Sequence, residues 1–319
     1  MENLLEVKNL KKYFPSPRGM VHAVDDVTFT IHAGETMGLV GESGCGKSTL
    51  GRTCIHLLES TGGQIIFDGK DVTTLSKQEL IEYRNHVQII FQDPYSSLNP
   101  RMTVRDTVME PLRLAGKMKG AELEKEATRL MDLVGIEKRF YDSYPHELDG
   151  GRRQRVGVAR AISLKPKFIV CDEPVSALDV SIQAQILNLL MDLQDEYKLT
   201  YMFVTHDLSV VRHISSNICV MYLGQMVETA PTLDLFDRPY HPYTKALLSA
   251  IPTVDIHHPH QRIVLKGEIT SPINPKPGCR FAPRCPYATE QCSKPDLPLV
   301  EVEPNHFVAC CRVKEINQL

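Results

Sequence analysis

The sequence lacks the features of a membrane-spanning protein and of a protein that binds nucleic acid. No apolar run reaches the ~18–20 residues that a membrane-spanning helix needs. The first six residues are acidic and lack the basic-then-apolar order of a signal peptide. The net charge of −3 provides no bulk positive field that would attract nucleic acid or anionic lipid. We therefore expect a cytoplasmic protein that reaches a membrane only through partner subunits.

Internal repeats and low-complexity tracts are also absent, and cysteine is scarce in most of the chain. Four of the nine cysteines lie in the first 219 residues, and the other five lie between positions 279 and 311. An odd number of cysteines in a chain of cytosolic character argues against a disulfide framework. The 319 residues, of which 42% are hydrophobic and 24% charged, are enough for a globular protein with a sizeable core.

The order of apolar segments indicates an α/β protein. A short apolar strand, Thr36–Val40, leads into glycines and then into a helical segment at 46–58. Phe168–Cys171 and Tyr201–Thr205 are continuous apolar runs, which are typical of strands buried on both faces of a parallel sheet. A helical stripe of apolar residues between positions 182 and 193 connects them, so this part of the chain is predicted to form a βαβ unit.

The glycine-rich segment after Thr36–Val40 matches the phosphate-binding pattern G-x-x-x-x-G-K-[ST]. Its glycines let backbone N–H groups converge on phosphate oxygens, and the following helix N-terminus adds a partial positive charge. Lys47 is placed to reach the β- and γ-phosphates, and the Ser48 hydroxyl to bind Mg²⁺. We predict that ATP is bound by this loop and the residue after it: Gly41, Glu42, Ser43, Gly44, Cys45, Gly46, Lys47, Ser48 and Thr49.

Polar residues follow both of the later strands. Asp172 ends the strand that begins at Phe168 and is suited to hold Mg²⁺, while Glu173 is suited to polarise the attacking water as general base. His206 follows the next strand and is placed to contact the γ-phosphate. Taken singly, the acidic pair is equally compatible with an exposed strand end, and a lone histidine is more often structural. Their positions after successive strands favour the catalytic interpretation.

These motifs, in this order, resemble the nucleotide-binding subunit of ABC transporters. The resemblance implies that Glu173 and His206 are catalytic, and that Mg²⁺ is bound by Ser48, Gln92 and Asp172. Gln92 is then the glutamine that senses Mg²⁺ and faces the membrane partner. The implied activity is hydrolysis of ATP coupled to transport.

The same resemblance assigns an adenine-stacking residue and a dimer contact. Phe14 lies where the family stacks an aromatic ring on adenine, with Tyr13 as the neighbouring candidate and a buried strand-end aromatic as the alternative. Asp179, in Ser-Ala-Leu-Asp, matches the family's loop at the dimer interface.

The resemblance also implies a domain organisation. We expect a P-loop NTPase core of the ABC ATPase type, with a RecA-like part and an antiparallel β subdomain, from residues 1–92 and 165–237. A helical signature subdomain is expected at 93–164. An irregular, cysteine-rich C-terminal extension is expected at 238–319, where proline and histidine are frequent and little regular structure is predicted.

The chain departs from the family pattern at the signature Leu-Ser-Gly-Gly-Gln. It has Asp149, Gly150, Gly151 and Arg152 where the family has Ser, Gly, Gly and Gln. A carboxylate only accepts hydrogen bonds and repels phosphate, by up to ~4 kcal/mol at 4 Å and an effective dielectric near 20. Arg152 can offset this by pairing with Asp149 or with the nucleotide, and Asp149 can also simply cap the helix. We hypothesise a heterodimer with one competent and one slow ATP site.

The tail cysteines have spacings that suit a metal or a cluster. Cys279-x₅-Cys285-x₆-Cys292-x₁₇-Cys310 contains no C-x₂-C knuckle, and all-thiolate ligation suits Zn²⁺ or an iron–sulfur cluster. Unliganded thiols are the alternative. The tail resembles the C-terminal extension of oligopeptide and dipeptide importer ATPases, some of which carry a [4Fe–4S] cluster. That resemblance implies these four cysteines as ligands, with Cys311 left over, and Zn²⁺ remains the alternative.

The favoured function is therefore ATP hydrolysis for an importer, with di- or oligopeptides as the expected cargo. The implied partners are a second ATPase subunit, two integral-membrane permease subunits and an extracytoplasmic solute-binding protein, with no nucleic acid. The expected location is peripheral, on the cytoplasmic face of the cell membrane. The alternatives are a soluble ABC ATPase acting on nucleic acid or ribosomes with a metal-binding cysteine module, and a redox-sensing regulatory subunit.

Overall fold

The computed structural model describes residues 2–116, 118–251, 262–265, 267, 271–294 and 297–319. Contacts between residues divide the chain into two compact units. The first unit is formed mainly by residues 74–204, together with 32–35. The second unit is formed by residues 3–31, 36–73 and the chain from 205 onward.

Twelve strands are present in the described part of the chain. In order they are β1 Asn3–Ser16, β2 Gly19–His32, β3 Thr36–Val40, β4 Gly62–Phe67, β5 Lys70–Asp71, β6 Val87–Ile90, β7 Phe168–Asp172, β8 Thr200–Val204, β9 Asn217–Tyr222, β10 Gln225–Pro231, β11 Val300–Glu303 and β12 His306–Val308.

Eleven α-helices lie within the same described residues. They are α1 Lys47–Cys54, α2 Lys77–His86, α3 Pro94–Ser97, α4 Val104–Leu114, α5 Ala121–Leu133, α6 Gly150–Ile162, α7 Val180–Tyr197, α8 Leu208–Ile214, α9 Thr232–Asp237, α10 Pro242–Ser249 and α11 Val313–Asn317. Short 3₁₀ turns add Lys138–Phe140, Pro145–Glu147, Ala282–Arg284 and Glu290–Ser293. Among all these helices none combines the length and the apolar character needed to cross a bilayer.

The first unit is built on three parallel strands in the order β8-β7-β6. Phe168 of β7 lies opposite Val87 on one side and Thr200 on the other. Every residue of β7 and β8 is buried, which explains why these strands are continuously apolar. α7 joins β7 to β8, so the predicted βαβ unit is confirmed. Helices α4, α5 and α6 of this unit pack on one another.

The second unit contains two groups of strands. An antiparallel sheet has the order β2-β1-β4-β5, with Leu5 opposite Phe67. In the other group β3 pairs in parallel with β9, with Leu39 opposite Cys219, and β10 returns antiparallel to β9. The turn between β9 and β10 contains Gly224 at φ 84°, a conformation that glycine adopts without the steric penalty of a Cβ.

The C-terminal tail has more regular structure than its sequence predicts. β11 and β12 form an antiparallel pair, and β12 pairs in turn with β10, placing Val308 opposite Glu228. The expectation of little regular structure is therefore wrong for 300–308 and for α10. The reason is tertiary: a free edge of β10 supplies main-chain partners that a proline-rich segment cannot find within itself. Residues 252–261, also part of that expectation, lie outside the described residues.

Candidate functional site

The phosphate loop lies in the second unit, between β3 and α1. Gly41 has φ 151° and Gly46 has φ 107°. A Cβ added at Gly41 would lie 2.2 Å from the Met221 carbonyl oxygen, and one added at Gly46 would lie 2.0 Å from the Ala23 carbonyl oxygen. Both the backbone angle and the close approach therefore require glycine at these two positions.

Lys47 is held against the backbone of its own loop. Its side chain is buried, and Nζ donates hydrogen bonds to the carbonyl oxygens of Gly41 at 2.8 Å and Glu42 at 3.0 Å. These contacts keep a buried ammonium group satisfied and pre-positioned at the loop. The neighbouring Cys45 is buried as well, and this burial raises the pKa of its thiol, although Lys47 acts in the opposite direction.

Glu42 of the loop is bound by two residues of the C-terminal tail. Arg284 donates two hydrogen bonds to the Glu42 carboxylate, at 2.6 and 3.0 Å. The Glu42 backbone N–H donates to the Tyr243 hydroxyl at 2.8 Å. Sequence reasoning missed both tail residues, because neither Arg284 nor Tyr243 lies in a recognisable nucleotide-binding motif.

The aromatic pair near the end of β1 has two different environments. The Tyr13 ring stacks on His22 with centroids 4.0 Å apart, and its hydroxyl donates to Asp25. Burial acts to raise the pKa of Asp25, but hydrogen bonds from Tyr13 and His22 and the charge of Arg280 lower it overall. Phe14 instead has the Lys12 ammonium 4.8 Å from its ring centroid. Tyr13 is thus engaged in a polar network, which favours Phe14 as the adenine-stacking candidate.

The predicted water-activating residues lie in the first unit. Asp172 is buried at the end of β7, and the next residue, Glu173, has φ 49°. The Glu173 backbone N–H donates to the Val204 carbonyl at 2.9 Å, and its side chain accepts a hydrogen bond from Gln92 Nε2 at 2.9 Å. The structure thus brings together Gln92 and Glu173, which are 81 positions apart. A left-handed backbone at Glu173 is the kind of local strain that concentrates at functional sites.

His206 and Asp179 both lie on exposed connections between a strand and a helix. His206 is in the second unit, where the preceding Thr205 donates its backbone N–H to the Leu39 carbonyl of β3 at 3.1 Å. His206 is therefore near the carboxyl end of the strand that leads into the phosphate loop. Asp179, in the first unit, is the residue before α7, and its side chain makes no capping bond. Their proposed catalytic and interface roles stay predictions.

The altered signature forms the N-terminus of α6 in the first unit. Asp149 caps the helix by accepting from the Arg152 backbone N–H at 2.8 Å. The Arg152 guanidinium pairs with the Asp149 carboxylate and also donates to Glu137 at 3.0 Å. Both interpretations of Asp149 raised by the sequence, the helix cap and the partner of Arg152, are thus present. Gly150 and Gly151 leave room for close neighbours, since a Cβ on Gly151 would lie 2.8 Å from Ile182.

The five tail cysteines line one small, partly open cavity in the second unit. Their side chains converge from separate segments of the tail, and the Cys292 and Cys311 sulfur atoms are 3.9 Å apart. In the described part of the chain, however, no three or more His, Cys, Asp or Glu side chains are arranged to hold a metal ion. The members are Cys279, Cys285, Cys292, Cys310 and Cys311.

The thiols of this cysteine cavity receive backbone hydrogen bonds. Burial raises the pKa of Cys279 to about 11, while backbone N–H groups of Phe281 and Ala282 act in the opposite direction. Burial likewise raises the pKa of Cys285 and of Cys310. The backbone N–H of Tyr287 acts to lower the pKa of Cys285, and that of Arg312 acts to lower the pKa of Cys310. Without a bound cation these three groups are therefore neutral thiols near pH 7.

Comparison with known families gives two matches. Residues 24–176 match the family described as ABC transporter. Residues 227–292 match the family described as oligopeptide/dipeptide transporter, C-terminal region. The first match covers the phosphate loop, Gln92 and the Asp172–Glu173 pair, and the second includes Tyr243, Arg284 and three of the tail cysteines.

Whole-chain relatives are similar over nearly their full length. The chain is 50% identical over 319 residues to the oligopeptide transport ATP-binding protein AppF of Bacillus subtilis strain 168, covering 97% of each chain. It is 51% identical to the putative oligopeptide transport ATP-binding protein YkfD of the same organism, covering 96% of this chain and 94% of that protein. A dimeric ATP-binding cassette solved in a post-hydrolysis state with ADP and Pi is 31% identical, with a TM-score of 0.66 over 72% of this chain and 99% of that one.

Proposed function

Since the chain belongs to the ABC transporter family and has the C-terminal region of its oligopeptide/dipeptide transporters, we propose that it hydrolyses ATP to drive peptide import. The observation that carries this proposal is the glycine-dependent phosphate loop, with a buried Lys47 held at its backbone. The relatives named for oligopeptide transport support di- and oligopeptides as the cargo class. No specific observation favours the alternative of an ATPase acting on nucleic acid or ribosomes.

In the proposed mechanism Lys47 exchanges its bonds to loop carbonyls for bonds to the β- and γ-phosphate oxygens. By the family resemblance, Ser48, Gln92 and Asp172 would hold Mg²⁺, which would neutralise charge on the phosphates. Glu173 accepts a proton from the attacking water as general base, and its bond to Gln92 orients the carboxylate beforehand. ATP binding performs the mechanical work, because it stabilises a closed dimer relative to an open one.

Two variants test this proposal in the assembled complex. Lys47→Ala is expected to abolish detectable ATP binding, because the charged contact with the phosphates is lost. Glu173→Gln is expected to keep ATP binding but to lower the hydrolysis rate by ~10²–10⁴-fold, the usual contribution of a general base. Equilibrium binding of a fluorescent ATP analogue and phosphate release measure the two steps separately. Undiminished binding and turnover by Lys47→Ala would remove the basis of the proposal.

We also propose the partners that such a subunit requires. These are a second ATPase subunit, two integral-membrane permeases and an extracytoplasmic solute-binding protein, with this chain peripheral on the cytoplasmic face of the membrane. The exposed position of Gln92, beside Glu173, supports a coupling role between permease and catalytic carboxylate. Membrane fractionation tests the partners: the chain should sediment with membranes only when the permeases are co-expressed.

The proposed organisation keeps the predicted boundaries, with the core at 1–92 and 165–237, the helical signature subdomain at 93–164 and the extension at 238–319.

The signature subdomain provides the basis for unequal ATP sites in a heterodimer. In the family the signature acts on the nucleotide held by the partner subunit. Here an acidic cap that is partly neutralised by Arg152 replaces the serine hydroxyl, which favours slow hydrolysis at the site that Asp149 completes. Single-turnover measurements test this asymmetry. Equal rate losses from Glu173→Gln and from the matching change in the partner subunit would contradict it.

The tail cysteines are proposed to hold a [4Fe–4S] cluster, with Zn²⁺ as the alternative. The five thiols around one cavity include the four thiolate donors that either centre would need, and backbone N–H groups directed at the sulfurs of Cys279, Cys285 and Cys310 would stabilise thiolates. Cys279, Cys285, Cys292 and Cys310 would be the ligands, and binding would release the thiol protons of Cys279, Cys285 and Cys310, whose pKa values are raised by burial. Anaerobic purification followed by iron and sulfide assay decides this. A colourless protein with stoichiometric zinc would exclude the cluster.

A further inference from the structure

The segment from Cys279 to Cys285, here named the cysteine turn, carries two arginines that reach the ATP-binding residues. We propose that Arg284 and Arg280 are positioning residues for nucleotide binding. Arg284 holds the phosphate loop through Glu42, and Arg280 holds the adenine-stacking strand through Asp25. The inference rests on the proposed ATPase function and names a part of the tail on which that function depends.

The Arg284 contact has the geometry of a strong ion pair. The guanidinium binds both carboxylate oxygens of Glu42, at 2.6 and 3.0 Å, and its side chain is only 8% exposed. Bidentate pairs of this kind fix orientation as well as distance, and solvent screens them little when they are sheltered. The Tyr222 ring lies beside the same guanidinium, with its centroid 5.9 Å away. Arg284 therefore has one well-defined arrangement relative to the loop.

Glu42 is held at each of its three polar groups. Its carboxylate binds Arg284, its backbone N–H donates to the Tyr243 hydroxyl, and its carbonyl accepts from Lys47. Tyr243 is fully buried, so the hydroxyl has little freedom to move away. A phosphate loop works by presenting pre-aligned N–H groups, and any backbone freedom at Glu42 must be lost again when ATP binds. Fixing Glu42 beforehand reduces that entropic cost.

Arg280 makes the equivalent connection to the other end of the site. Its guanidinium donates to the Asp25 carboxylate and to the Leu223 carbonyl, and the side chain is 7% exposed. Asp25 in turn accepts from the hydroxyl of Tyr13, the residue directly before Phe14. Arg280 thus stabilises the strand position from which Phe14 is proposed to stack on adenine.

The turn that carries both arginines is organised around its cysteines. The backbone N–H of Cys279 donates to the Cys292 carbonyl at 2.8 Å, and the N–H of Ala282 donates to the Cys279 carbonyl at 3.1 Å. Cys285 follows Arg284 directly and its thiol lines the cysteine cavity. A group that holds these thiols would therefore also hold the backbone that carries both arginines. We expect the state of the cysteine cavity to alter ATP affinity through Arg284 and Arg280.

The test measures ATP affinity of the full-length chain with a fluorescent ATP analogue. Arg284→Ala is expected to weaken binding by about 10-fold, which corresponds to about 1.4 kcal/mol. Arg284→Lys should recover part of the loss, because lysine restores one of the two bonds. Glu42→Gln should weaken binding to a similar extent, and adding it to Arg284→Ala should cause no further loss, since both changes remove the same pair. Arg238→Ala is the matched control, because this tail arginine pairs with Asp234 and Glu303 instead.

Steady-state turnover of the assembled complex provides the second readout. A positioning role predicts a raised KM for ATP with kcat changed less than threefold, whereas general destabilisation would lower the active fraction and therefore kcat. Unchanged affinity in Arg284→Ala, or additive losses in the double variant, would overturn the inference. Lys47→Ala separates this failure from failure of the ATPase proposal itself. If Lys47→Ala loses binding and Arg284→Ala does not, only the positioning role is wrong.

Discussion

Glu228 is the residue whose replacement tests how firmly the C-terminal tail belongs to the second unit. Its carboxylate is fully buried and accepts the backbone N–H groups of Tyr240 at 2.7 Å and His241 at 3.0 Å. It also contacts His306 Nε2 at 2.7 Å. One side chain of β10 therefore satisfies three buried groups that belong to the tail.

Glu228→Ala leaves those three groups without their acceptor. Each buried group deprived of a hydrogen bond costs about 1–3 kcal/mol, so we expect a loss of at least about 3 kcal/mol. A loss of that size lowers the melting temperature by roughly 2–4 °C per kcal/mol in a domain of 150–250 residues, or about 6–12 °C here. Glu228→Gln should be intermediate, because its amide oxygen still accepts but its NH₂ group faces a donor.

Thermal unfolding followed by circular dichroism measures the overall loss, and hydrogen exchange localises it to the Tyr240 and His241 amides. Glu315→Ala is the control, because Glu315 pairs with Arg312 at the surface and its side chain is 60% exposed. Such a pair contributes about 0–1 kcal/mol. If Glu228→Ala and Glu315→Ala lower the melting temperature equally, the tail is not anchored by Glu228 and the reasoning is wrong.

Three further predictions follow from individual contacts. Gly46→Ala should abolish binding of the fluorescent ATP analogue, because the new Cβ meets the Ala23 carbonyl. Gly44→Ala should lose less ATP affinity, because nothing lies within 4 Å of its added Cβ. Equal losses of affinity in the two variants would contradict the steric argument. Asp149→Ser should keep the helix cap and raise ATP turnover of the assembled complex, because it removes a negative charge and restores a donor; an unchanged phosphate-release rate would show that Asp149 is neutral in catalysis. Burial lowers the pKa of His241 to about 4, although Glu228 acts in the opposite direction, so the unfolded chain takes up this proton near pH 6.5 and the folded chain does not. Stability from His241 is then complete above pH 6.5 and is lost as the pH falls towards 4, by up to about 1.4 kcal/mol per pH unit. His241→Asn should therefore have a flatter urea-midpoint profile than the parent in that range, and parallel profiles would contradict the prediction.

Local patterns in the sequence were sufficient for the phosphate loop and for the buried parallel strands. The loop is defined by residue types within eight positions, and strands β7 and β8 are apolar throughout because both of their faces are covered. The αβ order between residues 168 and 204 depends on short-range periodicity, so it could be predicted with boundaries close to those observed. The sequence predicted only that Gln92 and Glu173 belong to one site, and it did not predict the hydrogen bond between them.

The sequence by itself determined which chemistry the chain can perform, because glycines, a lysine and carboxylates at fixed spacing are local features. Only the tertiary structure decided what supports that chemistry. Arg284 and Glu42 are 242 positions apart, and Arg280 and Asp25 are 255 apart. No local pattern encodes such a pair, since the two charges meet only after the chain has folded, and each sheltered charge then requires the other to offset its loss of water. For the same reason the tail gained strands beside β10, whose open edge becomes available only in the folded sheet.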